Sequence, residues 1–283
     1  MDAKRIASAW MDNAERRRLR SCLHEAGRNR DRLAFMHFVE GNLDLLTEVL
    51  GVGGVAHPAD TVRQSLDFFC RLWSVVPLVR RVSDFERLAF LEAQGLQTTL
   101  VYEPNPILEP IAALSAVQRF IVVAGEMEAW PLHRIARACR LDRERLLDEA
   151  MGARCRICRF DTSHLKGADL DLLRQVNASL SGALERRRTR ILMEALARSP
   201  EIAEFHALWL EHRSQVIELR ETLRLHGYER RKCLYAFCDQ LDKLPNPRRT
   251  SMRERMRLFV DFSSWPAGSE PAAVDRDVSD SDL

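Results

Sequence analysis

Apolar side chains recur at three- and four-residue spacing along most of this 283-residue chain. That period constrains the fold more than any single motif does. Arg30 to Leu50 shows it clearly, with Leu33, Phe35, Met36, Phe38 and Val39 followed by Leu43, Leu45 and Leu46. Such spacing gathers the apolar residues into one stripe of an α-helix. The same reasoning predicts helices over Lys4 to Glu25, Asp60 to Arg80 with Asp60 as N-cap, and from Ser83 to near Gly95. A long apolar helix is predicted over Ile111 to Trp130, with further helices over Ala168 to Ala197, Glu201 to His226, Glu229 to Leu244 and Ser251 to Phe262. The best strand candidate is LQTTLVYE, Leu96 to Glu103, rich in β-branched residues. The expected fold is mainly α: a multi-helix array with a helix-turn-helix-like segment and at most short β elements.

Breaks in the pattern suggest the organisation. GVGGVAHP, Gly51 to Pro58, interrupts helix continuation, and EPNPILEP, Glu103 to Pro110, carries three prolines. The expected division is an N-terminal helical domain over residues 1–105, a second helical domain over 106–262, and a polar, acidic, disordered tail over 263–283.

Charge limits the function classes. Lys and Arg total 43 against 41 Asp and Glu, a net charge of +2. A surface that grips nucleic acid everywhere would need a larger imbalance, so any such contact must come from a local basic patch. No apolar run approaches the roughly 20 residues of a membrane helix, and the N-terminus lacks a signal-peptide core. Seven scattered cysteines fit reduced thiols in the cytoplasm. Neither a Gly-rich phosphate loop, nor G-x-S-x-G, nor H-E-x-x-H occurs, so an enzyme is not expected.

The most motif-like segment is LHRIARACRLDRERLLDEA, Leu132 to Ala150. Leu132, Ile135, Ala136 and Cys139 share one helical face, Arg140-Leu141 makes a bend, and Asp142 can cap a second helix whose inner face is Leu146, Leu147 and Ala150. As a DNA reader, the start of the second helix would offer Arg143 and Arg145, but also Glu144, Asp148 and Glu149. Two other basic runs are candidates for phosphate contact: Arg186, Arg187, Arg188 and Arg190, and then Arg248, Arg249, Arg253, Arg255 and Arg257. The bland reading of each run is a solvated helix face.

Leu114 to about Leu170 resembles the FlhD family, the D subunit of the bacterial flagellar master transcriptional activator and its mobile-element relatives. LSAVQRFIVVAGEMEAW is similar to that family's long helix and LHRIARACRLDRERLLDEA to its helix-turn-helix. CRICRFDTSHL, Cys155 to Leu165, is similar to its terminal Cys-x-Phe-Arg-Phe-Asp-x-His element. The resemblance implies a dimeric or higher-order helical regulator that works with a partner subunit and recruits RNA polymerase at promoter DNA. It carries partner-binding roles to Arg159, Phe160, Asp161 and His164. The alternative is an all-helical scaffold or adaptor, as in a secretion machine, with no nucleic-acid role.

Cys155 and Cys158 have zinc-like spacing, but no second close pair completes a four-ligand set. No cofactor is expected, zinc being the one option weighed. The structural reading of that stretch is a short extended segment, with Cys155 and Ile157 inward, Arg154 and Arg156 outward, Phe160 plugging a core and Asp161 capping the next turn.

Overall fold

The computed structural model describes residues 3–53, 58–95 and 107–247. Among them are thirteen α-helices and no strand. The expected strand at Leu96 to Glu103, the helix over Ser251 to Phe262 and the acidic tail lie outside the described residues.

The first half contains α1 (Ala3–Asn29), α2 (Arg32–Glu40), α3 (Leu43–Gly51), α4 (Pro58–Val75) and α5 (Val82–Gly95). The single helix expected over Arg30 to Leu50 is two. Arg30 adopts a left-handed conformation, Asp31 caps α2 through the Ala34 amide, and the chain bends at Gly41-Asn42. Close packing accounts for the glycine: a Cβ on Gly41 would stand 2.6 Å from a methyl of Leu19 on α1. Asp60 lies inside α4 rather than at its cap. Aromatic rings fill the space between these helices, with Phe35 5.1 Å from Trp73 and Phe38 edge-on to Phe85 at 5.0 Å.

The second half contains α6 (Leu108–Ala112), α7 (Ala116–Val122), α8 (Leu132–Cys139), α9 (Arg143–Ile157), α10 (Ala168–Leu180), α11 (Arg186–Leu196), α12 (Pro200–Leu223) and α13 (Gly227–Lys243). Three expectations need correction. Ile111 to Trp130 is not one helix. Ser115 and Gln118 form a reciprocal capping box that starts α7 afresh, and α7 runs into a π-helical turn over Val123–Met127. Ala168 to Ala197 is broken at Ser181-Gly182, where Gly182 has a left-handed φ of 69°. Cys155 to Ile157 is not extended but forms the last turn of α9, and Arg154 points inward while Arg156 is exposed.

Buried side chains from both sides of the 96–106 stretch belong to one continuous core. Ion pairs run through it. Buried Glu86 on α5 accepts from Arg16 of α1 and Arg134 of α8, each at 2.9 Å. Buried Glu126, in the π-turn, receives Arg154 at 2.6 Å and Arg213 of α12 at 2.7 Å. Arg224 pairs with Glu128 and also donates to the carboxyl of Glu48 on α3. These bonds tie α8 and the end of α12 to the first half, and α9 and α12 to the π-turn.

Candidate nucleic-acid interface

The helix-turn-helix-like segment is built as its sequence pattern predicts. Ile135 and Leu146 are buried where α8 crosses α9, with Leu141 half-buried between them. Arg140 ends α8 in the left-handed conformation, with φ 57° and ψ 41°. Asp142 then caps α9 by accepting from the Arg145 amide at 2.8 Å. Asp142→Ala should lower stability by about 1 kcal/mol, measurable as a shift in urea midpoint. Arg134 locks α8 in place: its guanidinium lies 3.5 Å from the Trp130 ring centre while it holds Glu86.

α9 is largely enclosed. It packs against α6, α7, α8, α10 and α12. Small residues on it, Ala150 and Ala153, are fully buried. Arg154 is the polar centre of that enclosure, bonded to Glu126, the Asn177 side chain and Ser181, and 5.3 Å from the Trp209 ring centre. The first two turns of α9 face outward, with Arg143, Glu144, Arg145 and Asp148 exposed, and Arg156 is exposed again in its last turn. Glu149 is drawn aside by Gln118 at 3.0 Å.

The structure brings two of the three predicted arginine groups together. Arg143 donates to the Ala183 carbonyl at 2.9 Å, which ties the start of α9 to the loop that leads into α11. Arg186, Arg187, Arg188 and Arg190 form the opening of that helix. Arg187, Arg188 and Arg190 are exposed, and none has an ion-pair partner among the described residues. Four arginines at the positive end of a helix repel its macrodipole, and Glu185 at the N-cap makes no side-chain cap bond. An external anion would relieve both effects. Arg145 lies 3.7 Å from Asp142, an exposed pair of little energetic weight. Arg248, Arg249 and Arg253 lie outside the described residues. Two exposed arginines beside this group were not predicted contacts: Arg137, and Arg140, which was read only as part of the bend. Their three-residue spacing on the outward face of α8 was the available signal.

The segment after α9 is partly used inside the protein. Phe160 packs against Phe205 with ring centres 4.9 Å apart. Asp161 accepts from the amide and hydroxyl of Ser163, which hold its carboxyl below the usual range. His164 is exposed beside Glu201, and Arg159 is exposed with a left-handed φ of 53°. A partner docking here would meet Arg159, Asp161 and His164, with the Phe160 ring behind them.

Cys155 and Cys158 are buried thiols. Burial pushes them up to about 11 and about 12, the charge of Arg154 opposing in each case. Metal binding and nucleophilic attack both need the thiolate. Among the described residues no group of three or more His, Cys, Asp or Glu is placed to hold a metal ion, and no helix is long and apolar enough to cross a membrane.

The chain matches no family model, no curated protein and no solved structure.

Proposed function

We propose that the protein is a cytoplasmic, non-enzymatic transcriptional regulator subunit that acts on promoter DNA within a protein complex. In this reading the start of α9 and the arginines of α11 grip duplex phosphates, and the segment Arg159 to His164 meets a partner regulator subunit or a second copy, with RNA polymerase as the downstream contact. The observation that carries the reading is the Arg143–Ala183 bond, which sets the helix-turn-helix opening beside the Arg186 to Arg190 run. Enclosure of α9 supports a division of labour. A helix with two free turns can touch a few base edges through Arg143 and Arg145, and the partner must supply the remaining sequence discrimination.

The test is fluorescence anisotropy of the full chain on a 30-base-pair duplex (about three helical turns) across a salt series. Wild type should bind more weakly as salt rises, with log K falling by about 0.9 per phosphate contacted. Arg187→Gln, Arg188→Gln and Arg190→Gln together should reduce that slope by about 2 to 3 and weaken binding by one to two orders of magnitude, on the order of a factor of five per phosphate. These side chains are exposed, so the far-ultraviolet circular dichroism should stay unchanged. Absence of binding by wild type at low salt sinks the proposal.

One observation favours a second reading, an adaptor with no nucleic-acid role. Leu210 and Ile217 are exposed one heptad apart on α12, and Ile191 and Met193 are exposed on α11. Under that reading the triple variant keeps partner binding and wild type ignores DNA.

A further inference from the structure

Arginines are crowded throughout this protein, and the described structure repeatedly neutralises them in the same way. Arg16 and Arg134 share Glu86; Arg154 and Arg213 share Glu126; Arg224 sits between Glu48 and Glu128. One close pair is treated differently. Arg87 on α5 reaches across to α8, donates Nη1 to the Ala138 carbonyl at 3.0 Å and lies 5.0 Å from the Phe90 ring centre. These contacts fix the plane of its guanidinium. Its Nε is shut off from solvent without a hydrogen-bond partner among the described residues. Arg140 follows two residues after the Ala138 acceptor, exposed at the bend between α8 and α9. Burial, and then the nearby charge of Arg140, lower the proton affinity of Arg87, against a smaller opposing effect of Cys139. Among the described residues neither Arg87 nor Arg140 has an ion-pair partner. Nearby carboxylates are engaged elsewhere: Glu86 holds two arginines through Oε1, its Oε2 being buried without a hydrogen-bond partner among the described residues, Asp84 accepts from the amides of Arg80 and Arg81 at 3.1 Å each, and Asp142 accepts from the Arg145 amide.

We propose that Arg87 and Arg140 form a phosphate clamp at the bend of the helix-turn-helix, so that α5, in the first half of the chain, is part of the nucleic-acid interface. The proposal rests on the nucleic-acid reading above and adds a second anchor to it. A guanidinium fork matches two oxygens of a phosphate, and a pre-oriented fork loses less freedom on binding. Arg87 is oriented by Phe90 and Ala138, while Arg140, two residues beyond the Ala138 acceptor, is exposed at the bend. The position also fits, because the first helix of such a motif lies across the phosphate backbone while the second faces the groove. The clamp contacts a phosphodiester and reads no base, and with α11 it gives the protein two separate holds on one duplex.

Two variants test it in the full chain. Arg87→Gln removes the fixed cation. Arg140→Gly removes the mobile one and places glycine in a left-handed position it tolerates well, so folding is preserved. In the anisotropy assay each should weaken duplex binding about 3- to 10-fold and reduce the salt slope by about 0.9, equally for AT-rich and GC-rich duplexes. A second readout uses pyrophosphate alone. In 1H–15N spectra of the labelled full chain it should shift the Arg87 Nε–H signal and the amides of residues 139–141, and Arg140→Gly should abolish the shifts.

Wild-type salt slopes in both variants, with no pyrophosphate shifts, overturn the clamp. Weakened binding in the α11 triple variant with Arg87→Gln unaffected overturns the clamp and leaves the nucleic-acid reading standing. Pyrophosphate shifts at Arg87 without duplex binding support the anion site and overturn its nucleic-acid role. Should Arg87→Gln lose its native circular dichroism, Arg140→Gly and the pyrophosphate shifts on wild type decide the matter.

Discussion

Glu126→Ala is expected to destabilise the protein by about 3–5 kcal/mol, the range for leaving a buried charge without its counter-ion. Glu126 is buried and its two oxygens hold two guanidiniums, Arg154 at 2.6 Å and Arg213 at 2.7 Å. Arg213 is partly exposed and can turn to water. Arg154 cannot: it is buried among Asn177, Ser181 and Trp209, which supply dipoles and a ring face but no anion. The double variant Glu126→Met with Arg154→Met separates the charge from the packing. Two apolar chains of similar length remove both desolvation penalties, so the pair should lose far less than the sum of the two single changes. Urea unfolding followed by circular dichroism and tryptophan fluorescence measures wild type, Glu126→Ala, the two single Met variants and the double variant. A loss under about 1 kcal/mol for Glu126→Ala, in the range of exposed pairs, would mean that Arg154 is hydrated rather than held by charge.

The second large effect is a fall in stability toward alkaline pH that centres on Glu48. Its side chain is fully buried, and one carboxyl oxygen has no hydrogen-bond partner among the described residues. Burial, with the charge of Glu128 added, pushes its pKa up to about 9, although Arg224 opposes the shift. In the unfolded chain the same group titrates near its ordinary value of 4.5. Between those two values the native state retains a proton that the unfolded state has released. Glu48 therefore favours the fold most below the unfolded value, and the contribution is lost as pH rises toward the folded one, by at most about 1.4 kcal/mol per pH unit. Glu48→Gln keeps the size and hydrogen-bonding capacity without a titrating proton. The variant should show a flatter dependence of urea midpoint between pH 6 and 9, values chosen within about that window, and should be more stable than wild type at the upper end. Parallel curves would place Glu48 in its charged form, balanced by Arg224.

The helix-turn-helix was legible because everything that shapes it is local. Asp142 precedes its helix by one residue, Ile135, Leu141 and Leu146 face one another across a short bend, and the bend needs no distant partner. The capping box at Ser115 and Gln118 was equally local, but the continuous apolar run around it masked the signal. The orientation of Arg154 could not be read in the same way. A charged side chain beside two cysteines suggests an outward position, and its inward one depends on Glu126, Asn177 and Trp209, which tertiary packing delivers. The proposed interface divides along the same line. The arginines of α9 and α11 could each be named from sequence, yet their proximity follows from the fold of α10 between them, and the involvement of α5 follows only from its packing on α8.

The π-helical turn at Val123–Met127 holds one more residue than an ordinary helical turn spans. Within it the Glu128 amide bonds the Val123 carbonyl at 2.9 Å, five residues back. Excising a single residue there would restore regular winding and swing everything beyond it by about 100°. Glu126, Glu128 and Trp130 would then face new directions together, and Arg154, Arg224 and Arg134 would lose their counterparts at a stroke. The surplus residue thus keys the turn to α8, α9 and the end of α12. A one-residue deletion there should be worse tolerated than removal of whole exposed side chains from α11.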